Sequence, residues 1–486
     1  MKIIFQEKTM SKRLSIVLSI VAMALSLGGG WFSSEAEAVI TTVVCNTATN
    51  CTAAGLNLNA ATLRRPDDDH LGRAHIGIFI MHPYAGYTTF QGCTELASRG
   101  YTTLCANSVF NGNQYGYYGY EQHVPGIKSG LVYLKNIAAN ATLPAITKFL
   151  IFGHSAGAPM MTFYQNIAEN GPEVCQGPEK IIPCVDVNLH NLPKADGVML
   201  FDAHLGDSLA TFTYVDPAIH GNDCLPRNPN FDLFSAANGY DFTTNGATYT
   251  KQFAKTFTTH QAIRNVDLLN EALALLRDEI KSTGDPTKLG DDIPFNVVGS
   301  TDARLWQPDT SLLKYTQKPH ILLARNGTRP VQIIESVRNP MGRAANGLNC
   351  DGSTTVQNVH IWLGAHALRA TPGLYTQTPN DITGIDYDSS NTTSVANARG
   401  ITVPLIIIAN TGHYFIRPDE ILYDSAISGD KTIAFEEGAV HGGTPCLPCA
   451  TLIDPTITTQ AQANAYWGDT FKRTMDFYSE WLSARY

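Results

Sequence analysis

From residue 75 onward, short apolar runs alternate with stretches of helical spacing. Residues 75–81 form a run apolar enough to be buried on both faces of a sheet, and the loop His82-Pro83-Tyr84-Ala85-Gly86 follows it. Residues 89–99 have helical spacing and stop at Gly100, whose missing Cβ suits a helix C-terminus. Residues 101–106 are the next strand, 124–139 a helix, and 147–152 a strand that runs directly into Gly153. A helix over 158–169 ends at Asn170-Gly171, and the strand over 197–201 ends at Asp202. This order predicts an α/β fold with a mostly parallel central sheet and helices on both of its faces.

Between residues 205 and 400 the alternation lapses. One amphipathic helix stands out over 258–280, with Ile263, Val266, Leu269, Leu273, Leu276 and Ile280 along one stripe. Residues 321–336 read as a β-hairpin turning at Asn326-Gly327. The region is expected to be a large cap inserted between core strands six and seven. Alternation resumes with a strand over 403–409, a helix from Pro418-Asp419-Glu420, a strand over 431–435, a loop over 437–449 and a closing helix over 461–484. The expected organisation is therefore a signal peptide (1–38), an N-terminal lead-in (39–74), a first core part (75–204), the cap (205–400) and a second core part (401–486). The lead-in is rich in Thr, Asn and Asp with little periodicity, and Asp67-Asp68-Asp69-His70 within it reads as a solvated loop.

Composition narrows the function. Hydrophobic residues at 44% and charged residues at 16% describe a globular chain with a substantial core. A net charge of −9 and the lack of a long basic block argue against a nucleic-acid partner. Lys12-Arg13, the apolar stretch 14–27 and Ala36-Glu37-Ala38 have the order of an export signal cleaved before Val39. The expected product is secreted or periplasmic, with no stable membrane span. Ten cysteines suit disulfides in such a compartment. Close spacing pairs Cys45 with Cys51 and Cys175 with Cys184, while Cys224 and Cys350 are placed to staple the middle region. Cys446-Leu-Pro-Cys449 lacks the second ligand pair a zinc site needs and reads as a disulfide. Cys93 and Cys105 fall in a core helix and strand and read as buried thiols.

The chemistry-bearing motif is Gly153-His154-Ser155-Ala156-Gly157, set between a strand and a helix. A serine on such a sharp turn needs glycines two positions either side, because neighbouring backbones approach too closely for a Cβ. The Ala156 N–H would then sit at a helix N-terminus, aimed where an oxyanion develops. Pro83 has no N–H, so Tyr84 is the expected second donor, with His82 either catalytic or holding the loop. His154 is expected to pack beside the serine without titrating. The tyrosines of Tyr115-Gly116-Tyr117-Tyr118-Gly119-Tyr120 are candidates for lining a pocket or for surface packing.

The His82-Pro83-Tyr84 loop, this elbow and the late Glu437-Gly438-Ala439-Val440-His441-Gly442 loop together resemble the α/β-hydrolase superfamily over residues 75–204 and 403–486. The resemblance implies the chain order nucleophile, acid, histidine, which assigns Ser155 as nucleophile and His441 as base, with His413 as its competitor. The usual acid position, after the strand over 403–409, holds no carboxylate until Asp419 and Glu420. Some members carry the acid one strand earlier, which selects Asp202; Glu420 and Asp207 are the alternatives. The implied function is a secreted serine hydrolase that cleaves a small-molecule or polymeric carboxylic ester through an acyl-enzyme, without cofactor or metal. An amidase or peptidase, or a non-catalytic binding protein, are the other readings of the same fold.

Overall fold

The computed structural model describes residues 38–110, 119–219, 227–298, 304–342 and 354–486. The expected signal segment, Tyr115–Tyr118 of the tyrosine-rich loop, Cys224 and Cys350 lie outside the described residues. Ten strands form the main sheet: β1 (Val39–Cys45), β2 (Ala60–Pro66), β3 (Ile76–His82), β4 (Thr102–Asn107), β5 (Lys148–His154), β6 (Gly197–Phe201), β7 (Tyr315–Leu323), β8 (Val331–Glu335), β9 (Leu405–Asn410) and β10 (Lys431–Glu436). Their order across the sheet is β1-β2-β4-β3-β5-β6-β9-β10-β7-β8. The strands from β4 to β7 in that order run parallel, and β1, β2 and β8 join antiparallel at the two margins. The helices used below are α1 (Gln91–Ala97), α2 (Val124–Lys135), α3 (Gly157–Asn170), α4 (Asp207–Tyr214), α5 (Lys251–Thr283), α6 (Ile416–Ser425) and α7 (Thr470–Ser483).

The continuous apolar runs of the central strands resolve into two cores. Phe79, Met81, Ile151, Val198, Leu200, Ile407 and Ala409 point to one face, where Met160 and Phe163 of α3 meet them. Their neighbours Ile78, Ile80, Leu150, Phe152, Met199, Phe201, Ile406 and Ile408 point to the other, under Phe471, Met475 and Tyr478 of α7. Side chains alternate faces along a strand, so a sheet covered on both faces must be apolar at every position. That requirement is why strand ends, where polar residues first appear, are the places to look for chemistry.

Three expectations need correction. The lead-in, expected to have little periodicity, carries two strands: β1 and β2 extend the main sheet. Four consecutive residues of β1, Ile40–Val43, are exposed, which removes alternation. In β2 the buried Arg64 and Arg65 send their guanidinium groups to the carbonyls of Thr88 and Pro144, so charged letters conceal an interior strand. Nor is 205–400 wholly an insertion above the core. Its hairpin turns at Asn326-Gly327, with Gly327 at φ +81°, but as β7 and β8 it completes the far margin of the sheet by pairing Ile321–Leu323 with Ala434–Glu436. Lys318-Pro319 interrupts the apolar pattern of β7. The helix expected over 258–280 extends across Lys251–Thr283, and its buried face includes Gln261 and Asn265 in place of Ile263, which is exposed. Those two amides donate to the Thr213, Val215 and Leu368 carbonyls, so burial there is satisfied by hydrogen bonds.

Disulfides join Cys45–Cys51, Cys175–Cys184 and Cys446–Cys449 as expected, and also Cys93–Cys105, which corrects the reading of that pair as thiols. The last bond ties α1 to β4 inside the second core. Among the described residues no helix is long and apolar enough to cross a membrane. Replacing Cys93 and Cys105 together by alanine is expected to lower unfolding free energy by about 2–4 kcal/mol, since the bond closes a loop of roughly a dozen residues. A urea titration of both proteins checks this, and an unchanged midpoint would refute it.

Candidate active site

Ser155 stands between β5 and α3 with φ +57°, in the left-handed region that a residue with a Cβ avoids. Such a conformation costs about 1–3 kcal/mol and persists only where the surroundings enforce it. Here they do. A Cβ on Gly153 would lie 2.5 Å from the Gly157 carbonyl oxygen, and one on Gly157 would lie 2.9 Å from that of Met81. The Ser155 N–H donates to the Phe201 carbonyl, and the Ser155 carbonyl accepts from His204 and Ala158. The turn is thereby fixed to β6 and to its own helix. Ala156 caps the N-terminus of α3, where the helix dipole is positive.

Asp202 directly follows β6 and is the second non-glycine residue of the site with positive φ, +43°. Its carboxylate is fully buried, so every lone pair not satisfied by the protein would be costly. Oδ1 accepts from the Asn410 N–H at 3.0 Å. Oδ2 lies 2.5 Å from His441 Nδ1, and His441 Nε2 lies 2.7 Å from Ser155 Oγ. A carboxylate only accepts, so Nδ1 of His441 is the donor. In the neutral ring Nε2 then accepts the serine hydroxyl proton. Burial alone would raise the Asp202 pKa, but His413 and His441 beside it outweigh that and hold it below the carboxylate range.

The other candidates are engaged elsewhere. Glu420 accepts from the Gln317 and Lys318 amides, from His320 and from Arg417, and these partners draw its pKa down to about 2 against the opposing effect of burial. Asp207 begins α4, where burial pushes it up to about 7. Neither is brought to His441. His413 is not on the serine either; its Nδ1 lies 2.7 Å from Asp202 Oδ2, and its ring stacks on His441 at 4.4 Å.

His82 holds its own loop, since its Nδ1 accepts from the Tyr84 and Ala85 amides at 3.3 and 2.9 Å. His154 does more than pack. Its Nε2 donates to the His441 carbonyl at 2.8 Å, which leaves Nδ1 to accept from Tyr87 Oη at 2.5 Å. Burial holds its pKa down at about 3. The residue before the serine thus ties the histidine loop to the elbow. No spacing rule marks that bond, and only the position of His154 inside the motif could have suggested it.

Asp202, His413 and His441 also place potential ligand atoms within 4.8 Å of one another. Two ligands of one tetrahedral zinc ion lie about 3.3 Å apart, given bonds near 2.0 Å. Both Nδ1 atoms here approach Asp202 Oδ2 more closely, to 2.5 and 2.7 Å. The spacing suits shared protons better than a shared ion.

No protein-family model matches the sequence, and no curated protein matches it. Among solved structures, the esterase Est1E from Butyrivibrio proteoclasticus is 7% identical, with 87% of this chain and 94% of that one covered and a TM-score of 0.34. Esterase B from Lactobacillus rhamnosis is 10% identical, with 98% and 97% covered and a TM-score of 0.32. A hypothetical protein from Pseudomonas aeruginosa is 13% identical, with 90% and 95% covered and a TM-score of 0.32. At these scores the fold assignment rests on this chain's own strand order and elbow.

A histidine with a depressed folded pKa leaves the unfolded chain binding more protons below its ordinary value, so stability is full above about pH 6.5 and falls with acidity. His154→Gln keeps a donor for the His441 carbonyl and cannot titrate. Between pH 7 and pH 5 it is expected to lose about 2 kcal/mol less unfolding free energy than the parent chain. Parallel urea titrations at the two pH values measure the difference; identical losses would show that His154 titrates normally.

Proposed function

We propose that this chain, an α/β hydrolase in fold, is a serine hydrolase that cleaves a carboxylic ester through an acyl-enzyme. The observation that carries the reading is the continuous contact from buried Asp202 through His441 to a strained Ser155. In the reaction Ser155 Oγ attacks the ester carbonyl as its proton passes to His441 Nε2. Asp202 keeps Nδ1 protonated and stabilises the imidazolium that results. Collapse of the tetrahedral species breaks the bond to the alcohol, which leaves with the proton held by His441. Water then attacks the acyl-enzyme by the same route, releasing the acid and restoring Ser155.

The developing oxyanion needs donors that are already oriented. Ala156 supplies one at the N-terminus of α3. Tyr84 supplies the second in this reading, exchanging its 3.3 Å contact to His82 for the oxyanion while Ala85 keeps the loop on the same ring. Substrates are small or polymeric esters. The basic and apolar N-terminal segment and four disulfides among the described residues support export to an oxidising compartment.

A fluorophosphonate probe is expected to label the parent chain and not Ser155→Ala; a folded parent chain that resists labelling would sink the hydrolase reading. Asp202→Asn is expected to lower kcat on a nitrophenyl ester by about four orders of magnitude, through loss of the tautomer that presents Nε2 to the serine. Glu420→Gln should stay within a few-fold of the parent. The reverse ranking would move the acid to Glu420.

A further inference from the structure

A narrow cavity opens beside the catalytic groups. Its near wall is His204 and Phe415. The His204 N–H donates to the Ser155 carbonyl, and the Phe415 ring stands edge-on to His441 at 5.6 Å, so two of the residues that line the cavity also touch Ser155 and His441, which themselves do not line it. Its sides are apolar, including Leu209, Leu313 and Ile382. Thr213 and Arg304 are its polar residues away from His204.

Arg304 is unusual in its company. Its guanidinium lies 3.9 Å from the Tyr214 ring centroid and 5.2 Å from that of Trp306, so aromatic rings cover it. Nη1 donates to Tyr414 Oη at 3.0 Å, while Nε is buried with no hydrogen-bond partner. No carboxylate among the described residues pairs with it; the buried Arg65 and Arg338 lack one too, but backbone carbonyls accept from their guanidinium groups, whereas Arg304 donates to the Tyr414 hydroxyl. A cation at the wall of a largely apolar cavity, without a counter-ion among the described residues, favours an anion in that cavity. Arginine rather than lysine suits this place, because its planar group can stack on rings while its edge donates. In a chain of net charge −9, such a cation also makes the cavity locally attractive to anionic substrates.

We propose that Arg304 selects esters whose acyl part carries a distal carboxylate, so that the preferred substrates are monoesters of dicarboxylic acids with an apolar spacer. The proposal rests on the serine-hydrolase reading of Ser155. In it the ester carbonyl meets Ser155, the spacer lies along Leu209, Leu313 and Ile382, and the free carboxylate reaches the guanidinium edge. Arg304 positions substrate and takes no part in the proton transfers.

The test compares 4-nitrophenyl monoesters of glutarate and adipate with the neutral 4-nitrophenyl pentanoate and hexanoate. For the parent enzyme, kcat/KM is expected to favour the monoester by about tenfold or more, mostly through KM, as a charge-assisted hydrogen bond would provide. Arg304→Gln should abolish that preference while leaving neutral-ester turnover within a few-fold, and Arg304→Lys should restore part of it. A preference for neutral esters in the parent, or one unchanged in Arg304→Gln, overturns the proposal. Fluorophosphonate labelling of each variant reports whether the site is intact, so a misfolded Arg304→Gln is replaced by Arg304→Lys and Arg304→Met in the same comparison. Calorimetric binding of glutarate to Ser155→Ala separates the proposal from the hydrolase reading. Binding that weakens about tenfold when Arg304→Gln is added supports the anion site even if no ester is turned over, and absence of binding at millimolar glutarate counts against it.

Discussion

A fully buried carboxylate at the end of β6 sets the terms for the rest of the site. Taken out of water without partners, the Asp202 charge would cost several kcal/mol. The fold supplies partners from separate elements: the backbone of Asn410 ending β9, His413 in the loop that follows it, and His441 in the loop after β10. Each segment is placed by a parallel strand whose pairing is continuous across the sheet. The acid therefore fixes the relative positions of three loops as well as orienting one imidazole. Strand pairing and charge satisfaction pull the same groups into the same place.

The serine is held by a different constraint. Its left-handed backbone is sustained by contacts too close for a Cβ at Gly153 and Gly157, and by hydrogen bonds to Phe201 and His204. Those two residues flank Asp202 in sequence. The strained turns at positions 155 and 202 thus brace each other across β5 and β6, and the distance from Ser155 to Asp202 is set by backbone. His441 bridges the gap from a longer loop, with its carbonyl held by His154. Rigid ends and a tethered middle give an imidazole that stays in register while retaining access to solvent.

What could be read from the sequence follows the range of the forces involved. The elbow was legible because its demands are local: an apolar strand, two glycines and a helix start within a dozen residues. Asp202 was legible because a buried parallel strand shows few polar letters, and one at its end stands out. The β1 and β2 strands were hidden, since their pairing partners compensate for exposed or charged stretches that the local pattern penalises; the β7–β8 hairpin was legible, but its place at the margin of the main sheet was not. Cys93 and Cys105 were read as thiols because α1 and β4 come together only in three dimensions. The contacts of His154 with His441, and of His413 with Asp202, join segments hundreds of residues apart or loops of no regular form. Sequence spacing carries no record of them.

The choice of histidine for both of these supporting positions has a physical reason. A permanent cation against Asp202 would neutralise the carboxylate in the resting state and weaken its pull on a protonated His441. A neutral imidazole sets a ring nitrogen 2.7 Å from the carboxylate without that competing charge. Burial holds His413 at about 4 and His154 at about 3, so both are uncharged at neutral pH while His441 is the ring left in contact with the serine. Three imidazoles in one small volume would repel one another if all were protonated. Burial keeps His413 and His154 neutral, so neither adds a positive charge beside Asp202 and His441.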